Sequence, residues 1–237
     1  MSPRALPLIA CLALLPAVAG ARDATVRLPD GFTATPEVHA VEGYSPRRFR
    51  QPLVFGPYSA RVQAGGDTAG GTMWLGRMDL REGERPHAFL LTTLGQPAIG
   101  VDCVGQAVRL VEEDDDGGWE LDLSAASGPV LECALGISAD EPDRRLTLEV
   151  TGRGHAGRVA SPWGELRIAS LHGYAGSRVT SPEPTGFVVS HDGQPQLVVD
   201  LLNRGRVLMD PALDPRQRAW LAAIAAALLL SPAVEPG

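Results

Sequence analysis

The feature that most constrains the fold lies near the end of the chain, where residues 219–230 form twelve uninterrupted apolar residues. Asp214, Pro215 and Gln217 precede them and predict a helix start: an N-cap acid, a proline in the first turn and a glutamine that closes a capping box. Pro232 predicts the helix end. Twelve helical residues span about 18 Å, too short for a bilayer core of about 30 Å. A helix that is apolar on every face is one surrounded by protein.

The rest of the chain, from residue 53 onward, consists of short apolar or alternating runs separated by turn residues, which is typical of strands. Gly-Gly at 65–66 and 70–71, the run 115–118 and Asp192-Gly193 supply the positive φ angles that hairpin turns need. Because no helix separates the runs, we expect antiparallel pairing; parallel pairs need longer crossovers. We predict strands at 53–63, 72–80, 87–94, 98–103, 106–113, 118–123, 129–137, 145–151, 156–160, 164–171, 186–190, 196–202 and 205–209.

A sheet closed on itself is the β structure best able to surround an apolar helix. We therefore predict an all-β fold, a closed antiparallel barrel of about twelve strands around a hydrophobic C-terminal helix. The alternative is a β-sandwich with a packed C-terminal helix. The expected domain organisation is a signal peptide at 1–21, an extended, proline-rich lead-in at 22–52, and a single β-rich domain at 53–232 with the helix at about 215–230.

The first residues predict export. One positive charge at Arg4 precedes an apolar run at 5–19, followed by small residues that favour cleavage after Ala21. We therefore expect a periplasmic or secreted protein with no transmembrane span in the mature chain. An alternative is a lipoprotein anchored at Cys11, because residues 8–11 resemble the lipobox of bacterial lipoproteins.

Two cysteines remain after cleavage, Cys103 and Cys133, and an even pair in an exported chain predicts a disulfide. Each cysteine shares its parity with apolar neighbours, so both sulfurs are expected to point inward from strands. A bond closing this loop would stabilise the fold by about 3–4 kcal/mol on the entropic model. The alternatives are two buried free thiols or a metal pair.

The charge balance excludes one class of partner. All 21 basic residues are arginine, which we interpret as the codon bias of a GC-rich bacterial genome, and 28 acidic residues outnumber them. Nucleic acid is therefore not an expected partner, since nucleic-acid binding needs a basic footprint. Arg47, Arg48 and Arg50 form the one local basic cluster. They are a candidate surface contact for an acidic partner, although a solvated basic turn is the simpler interpretation.

Motifs of known chemistry are missing from the sequence. The five histidines, at 39, 87, 155, 172 and 191, never occur at the i, i+4 spacing of a helical metal site, and no Gly-x-Ser-x-Gly elbow is present. The acidic run 112–116 lacks the spaced ligands of a calcium loop and predicts a solvated hairpin tip. We therefore predict no catalytic, metal or cofactor residues.

The C-terminal part of the chain contains a characteristic succession of elements: strand-like runs at 186–189, 197–200 and 205–207, a turn at 192–193, and the helix opened by Asp214. This succession resembles the closing strands and core helix of the tubby C-terminal-like fold, which phospholipid scramblases resemble too. The resemblance implies a module that binds phosphoinositides or membrane phospholipids. The chain is acidic, expected to be exported and without lysine, so no binding residue is carried over.

These observations favour a non-catalytic binding or scaffold module of the cell envelope whose partner is an envelope protein or lipid. The alternative is a hydrolase with a site assembled from loops. His155, His172 and His191 are its candidate residues, because all three fall in the turn-rich second half of the chain.

Overall fold

The computed structural model describes residues 23–43, 52–65, 69–75, 78–112, 119–123, 128–137, 144–152 and 154–231. Within these ranges it contains fourteen strands and one α-helix, α1 (Pro215–Leu230). The strands are β1 (Glu37–Glu42), β2 (Leu53–Phe55), β3 (Tyr58–Gly65), β4 (Ala69–Leu75), β5 (Met78–Thr92), β6 (Ile99–Glu112), β7 (Trp119–Asp122), β8 (Pro129–Gly136), β9 (Arg144–Thr151), β10 (Gly154–Ser161), β11 (Gly164–Leu171), β12 (Gly186–His191), β13 (Gln194–Asp200) and β14 (Arg206–Met209).

Twelve of these strands form a closed antiparallel barrel, as the sequence predicts. The order around the ring is β5, β3, β2, β1, β14, β13, β12, β11, β10, β9, β8 and β6, and pairing of β6 with β5 closes it. The first and last strands of the ring in the sequence, β1 and β14, are neighbours, with Glu37 opposite Met209. Closure of the ring therefore requires that β1, early in the chain, pairs with β14, which directly precedes the helix.

The two longest strands extend beyond the ring. β5 pairs with β3 through residues 87–92 and with β4 through residues 78–84. In the same way β6 pairs with β8 through residues 100–105 and with β7 through residues 109–112. β4 and β7 consequently flank the outer halves of β5 and β6 and lie outside the twelve-stranded ring.

The helix α1 forms the centre of the core. Eleven consecutive residues, from Ala219 to Leu229, are buried, and they share one apolar cluster with the inward side chains of the strands. A twelve-stranded ring is too wide for its own side chains to fill, so a helix is needed inside it. Six of the eleven buried residues are alanine, which keeps the helix narrow.

Both helix ends follow the sequence signals. The Asp214 carboxylate accepts the Gln217 backbone N–H at 2.9 Å, and the Gln217 side chain accepts the Asp214 N–H at 3.1 Å, which completes the capping box. Arg218 then anchors the first turn, because its guanidinium donates to Glu37 Oε2 at 2.9 Å and to the Leu213 carbonyl at 2.9 Å. These bonds link the start of α1 to β1.

Several strand boundaries differ from the sequence-based ones. The predicted strand 53–63 is a hairpin of β2 and β3, because Gly56 adopts a φ of 55° and turns the chain. The predicted strand 72–80 covers the end of β4 and the start of β5, and the predicted strand 87–94 covers the end of β5. The predicted strands 98–103 and 106–113 both lie on one long strand, β6. Most importantly, β1 lies inside the expected lead-in 22–52, so the β-rich domain begins before residue 53.

The described start of the chain packs on the outside of the barrel. Val26 joins a second apolar cluster with outward-facing Val188, Val198 and Leu208, on β12, β13 and β14. A side chain at position 186 would contact the Val199 carbonyl and Val26, so glycine is required there for close packing. The N-terminal segment therefore covers the outer face of these three strands.

Candidate functional site

The barrel interior is occupied by protein. α1 fills the position that a ligand takes in an empty barrel, and its buried residues contact the strands around it. Functional groups that can meet a ligand must therefore lie at the ends of the barrel or on its outer surface.

Cys103 and Cys133 lie inside the barrel at disulfide distance. They are directly opposite each other on β6 and β8, their sulfur atoms are 2.08 Å apart, and they are 0% and 2% exposed. The pairing agrees with the sequence prediction. The bond links two neighbouring strands of the ring and is inaccessible to solvent.

Other predicted residues lie outside the described part of the chain. They are the candidate contacts Arg47, Arg48 and Arg50, the alternative anchor Cys11, and residues 113–116 of the acidic run. Glu112, the first residue of that run, ends β6. The signal peptide at 1–21 also falls outside the described ranges.

The three histidines of the hydrolase hypothesis do not form one cluster. His191 ends β12 opposite Leu166, whereas His172 directly follows the far end of β11. His172 lies six residues along the chain from Leu166, about 20 Å of extended strand. His191 instead lies 3.7 Å from the Asp192 carboxylate. His155 and His172 do lie at the same end of the barrel, where Ser170 connects them.

Ser170 and His172 form a hydrogen-bonded pair at that end. Ser170 Oγ is 2.9 Å from His172 Nε2 and accepts the His155 backbone N–H at 2.8 Å. His172 Nδ1 is 3.1 Å from the Ser181 carbonyl, which can only accept. Nδ1 therefore carries the proton in the neutral ring, and Nε2 accepts the Ser170 hydroxyl proton. This is the arrangement of a serine nucleophile and its base, with a backbone carbonyl where a triad has a carboxylate.

The same pair also has a structural role. The Ser181 backbone N–H donates to the His172 carbonyl at 2.7 Å, and Gly173 and Thr180 form an isolated bridge. Together with the Nδ1 bond, these contacts fasten the loop between β11 and β12 to the barrel wall. Gly154 lies beside the pair, and a side chain there would collide with Ser170 Oγ at 2.6 Å.

A groove of about 410 Å³ lies on the outer face of β9, β10 and β11. Arg158 on β10 and Arg167 on β11 are directly opposite each other in the register, and both are exposed. Glu149 and Glu165, which are also exposed, line the same groove. The sequence analysis missed this arginine pair. The two residues are equally distant from the turn at Pro162 and Trp163, and this equal spacing could have predicted that they lie opposite each other in a hairpin.

A buried ion pair attaches the N-terminal segment to the barrel. Asp200 is 1% exposed, and its Oδ2 accepts from Arg206 Nε at 3.1 Å and from the Val26 backbone N–H at 3.3 Å. Its Oδ1 accepts the Leu202 N–H at 3.0 Å. All these partners belong to the protein, so we interpret this carboxylate as a structural group.

A polar cluster surrounds the start of α1 at the opposite end of the barrel from Ser170. Glu37 accepts from Arg218 and lies 3.3 Å from His39 Nε2, and the His39 ring contacts Tyr58 edge-on. Burial raises the pKa of the Tyr58 phenol, and the Arg218 charge partly offsets this effect. The cluster connects α1, β1 and β3.

Among the described residues, no group of three or more histidines, cysteines or acids is placed to hold a metal ion. In the same part of the chain, no helix has the length and apolar character needed to cross a membrane. The chain matches no known protein-family model and shows no significant similarity to a curated protein or to a solved structure.

Proposed function

We propose that the protein is an exported, non-catalytic binding or scaffold module of the bacterial cell envelope. One observation carries this proposal: α1 fills the barrel, so recognition takes place on the outer surface, where the fold offers rigid β structure. The export signal predicted at 1–21 and the buried disulfide pair favour the periplasm or the extracellular space.

The proposed partner is an envelope lipid or an envelope protein. The lipid part rests on the resemblance to the tubby-like and scramblase-like fold, which remains a proposal. The cluster Arg47, Arg48 and Arg50 is a second candidate contact for an acidic partner. Neither assignment requires a cofactor.

Vesicle flotation tests the lipid proposal. Residues 22–237, without the signal peptide, are mixed with vesicles of an envelope lipid extract, and with phosphatidylcholine vesicles as the control. We expect the protein to float with the envelope lipids and to remain at the bottom with phosphatidylcholine. Absence of flotation with every lipid would reject a lipid partner and leave an envelope protein as the remaining candidate.

A hydrolase is the second candidate function, and the Ser170–His172 pair favours it. The Oγ–Nε2 distance of 2.9 Å is within the range needed for proton transfer, and the Ser181 carbonyl sets the required tautomer. Catalysis by this pair would convert an ester or thioester through an acyl-serine intermediate. The pair lies at the barrel end, the position left open by the filled interior.

A fluorophosphonate probe and p-nitrophenyl acetate test this candidate. A hydrolase would react with the probe at Ser170, and Ser170→Ala would abolish both labelling and turnover. Ser190→Ala is the matched control, because Ser190 is a half-buried strand serine on the neighbouring β12. If the wild-type protein neither labels nor turns over the ester, the pair only fastens the β11–β12 loop.

A further inference from the structure

Among the residues that the structure describes, the arginine pair in the outer groove has no compensating contact. No nitrogen of Arg158 or Arg167 lies within 4.0 Å of a carboxylate oxygen, and neither guanidinium makes a hydrogen bond with any residue that the structure describes. Like charges that lie directly opposite on adjacent antiparallel strands are destabilising. The arrangement therefore has a cost in the free protein that a bound anion would remove.

Two glutamates share the groove without pairing with the arginines. Glu149 lies on β9, two residues from Thr147, which is directly opposite Arg158. Glu165 lies on β11, two residues before Arg167. Both carboxylates are exposed, and like the arginines they have no ion pair among the described residues. The groove thus contains a positive centre with a negative group on either side.

The dimensions of the groove suit a small polar molecule. Its volume of about 410 Å³ is within the range typical of small-ligand sites. Between the charged residues its wall consists of Ala156 and Gly157, which leave room for a ligand to approach the sheet. A side chain at position 157 would collide with the Thr147 carbonyl, so glycine allows β9 and β10 to lie close together.

The groove is also available in the folded protein. The N-terminal segment covers the outer face of β12, β13 and β14 through Val26 and its apolar cluster. The outward residues of β10 and β11 beside that covered face remain exposed, including Arg158, Glu165 and Arg167. The arginine pair consequently lies on open, rigid sheet surface next to a packed segment.

We propose that this groove binds a phosphoethanolamine group, with the phosphate on Arg158 and Arg167 and the ammonium on Glu149 or Glu165. This inference rests on the envelope-binding function proposed above and names its ligand chemistry. Two guanidinium groups present several N–H donors to one tetrahedral oxyanion, which is the geometry that arginine suits best. A primary ammonium donates hydrogen bonds that a carboxylate accepts.

The balance of charge in the groove favours a zwitterion over a simple anion. Two arginines and two glutamates give the groove no net formal charge, so a dianion such as inorganic phosphate would meet two repelling carboxylates. Phosphoethanolamine carries an ammonium group beside its phosphate, so it offers a partner both to the arginines and to the glutamates of the groove. The same group occurs as a free molecule in solution and as the headgroup of a phospholipid. Calorimetry with the free molecule and flotation with vesicles distinguish these two sources.

Calorimetric titration of residues 22–237 tests the site. We expect phosphoethanolamine to bind, and inorganic phosphate and ethanolamine each to bind at least about tenfold more weakly. The double variant R158A/R167A should lose binding, whereas R178A/R204A, which removes the same charge from exposed loop positions, should retain it. The variant E149Q/E165Q should lose the preference over inorganic phosphate. Equal binding of inorganic phosphate, or unchanged binding by R158A/R167A, would overturn the proposal.

Vesicles separate the two sources of the group. If the ligand is a lipid, the protein floats with phosphatidylethanolamine-containing vesicles and the double variant R158A/R167A does not. If the free molecule binds in calorimetry but no vesicle does, the groove assignment holds and the lipid function fails. If wild type and R158A/R167A float equally, the lipid function holds and the groove assignment fails.

Discussion

The strongest quantitative prediction concerns the Cys103–Cys133 bond. Reduction of the bond adds two hydrogens and lets the two sulfur atoms separate to van der Waals contact, which is a small change in the folded state, so we expect its effect on stability mainly in the unfolded chain. The bond joins residues 30 apart in sequence. The chain-entropy relation gives a loop-closure entropy of about 12 cal/mol/K for this separation, or about 3.6 kcal/mol at 25 °C. We therefore expect the reduced protein to be less stable by roughly that amount.

Burial adds a kinetic expectation to the same experiment. Both cysteines are almost completely inaccessible and lie inside the closed ring, so a reductant reaches the bond only when the barrel opens. The native protein should resist reduction in buffer and lose the bond in urea. Thiol counting after quenching at each urea concentration measures this directly.

Urea unfolding, followed by tryptophan fluorescence, tests the magnitude. Wild type is compared in its oxidised form and after reduction in urea and refolding with reductant present. The variant C103A/C133A, measured with and without reductant, shows any effect of the reductant itself. A difference below about 1 kcal/mol between oxidised and reduced wild type would refute the entropic account, because the loop length alone predicts more than three times that value.

Four further predictions concern single residues. Asp214→Ala removes the cap of α1 and should lower the free energy of unfolding by about 1 kcal/mol in urea. Arg206→Met leaves the Asp200 carboxylate buried without its charge partner and should cost roughly 2–3 kcal/mol, measured the same way, since Arg206 is partly exposed. Burial raises the pKa of Tyr58, so the folded state retains the phenol proton more strongly than the unfolded state does. The resulting stabilisation is complete below the unfolded pKa of about 10 and is lost as pH rises through the folded pKa. Tyr58→Phe should therefore flatten the alkaline part of the plot of unfolding free energy against pH. Arg167→Thr relieves like-charge repulsion and should stabilise the free protein by about 0.2–1 kcal/mol at low salt, with a smaller gain at high salt.

The helix and the fold class could be predicted from sequence because their signals are local. The residues from Asp214 to Gln217 specify the start of α1 through bonds within one turn, and the apolar run after them has no polar face to present to solvent. Because such a helix must be enclosed by protein and the rest of the chain is strand-like, a closed sheet around the helix is the expected fold. The cysteine pair was predictable for a similar reason, since parity places both side chains on the inner face.

The strand boundaries and β1 were harder to predict because tertiary pairing decides them. In residues 37–42, one face of the strand carries Glu, His and Val and the other carries Val, Ala and Glu, so neither face is consistently apolar. The segment is a strand because it pairs with β14 on one side and with β2 on the other. Likewise, β5 continues through residues 78–92 although Gly83 and Pro86 interrupt its pattern, because β6 pairs along its length. Long-range pairing of this kind leaves little trace in a local sequence pattern.

The candidate sites were missed for a different reason. Ser170, on β11, and His172, directly after it, are two residues apart and therefore project to the same side of the extended chain. Their pairing matters only because His155 and Ser181 approach from other elements. Arg158 and Arg167 are separated by a hairpin turn, and that neither has a partner in the described part of the chain is visible only when the surrounding surface is known. The sequence indicates which residues can lie opposite each other across a hairpin. The structure shows which of these charged side chains have no oppositely charged neighbour among the described residues.

The filled interior connects the fold to the proposed mode of binding. A ring of twelve strands closed around α1 cannot admit a ligand without moving the helix, and eleven buried residues of α1 oppose that movement. Recognition on the outer face requires no such change, because the side chains at the groove project from paired strands already held by the core. Ligand binding there should add to the stability of the barrel without altering its pairing.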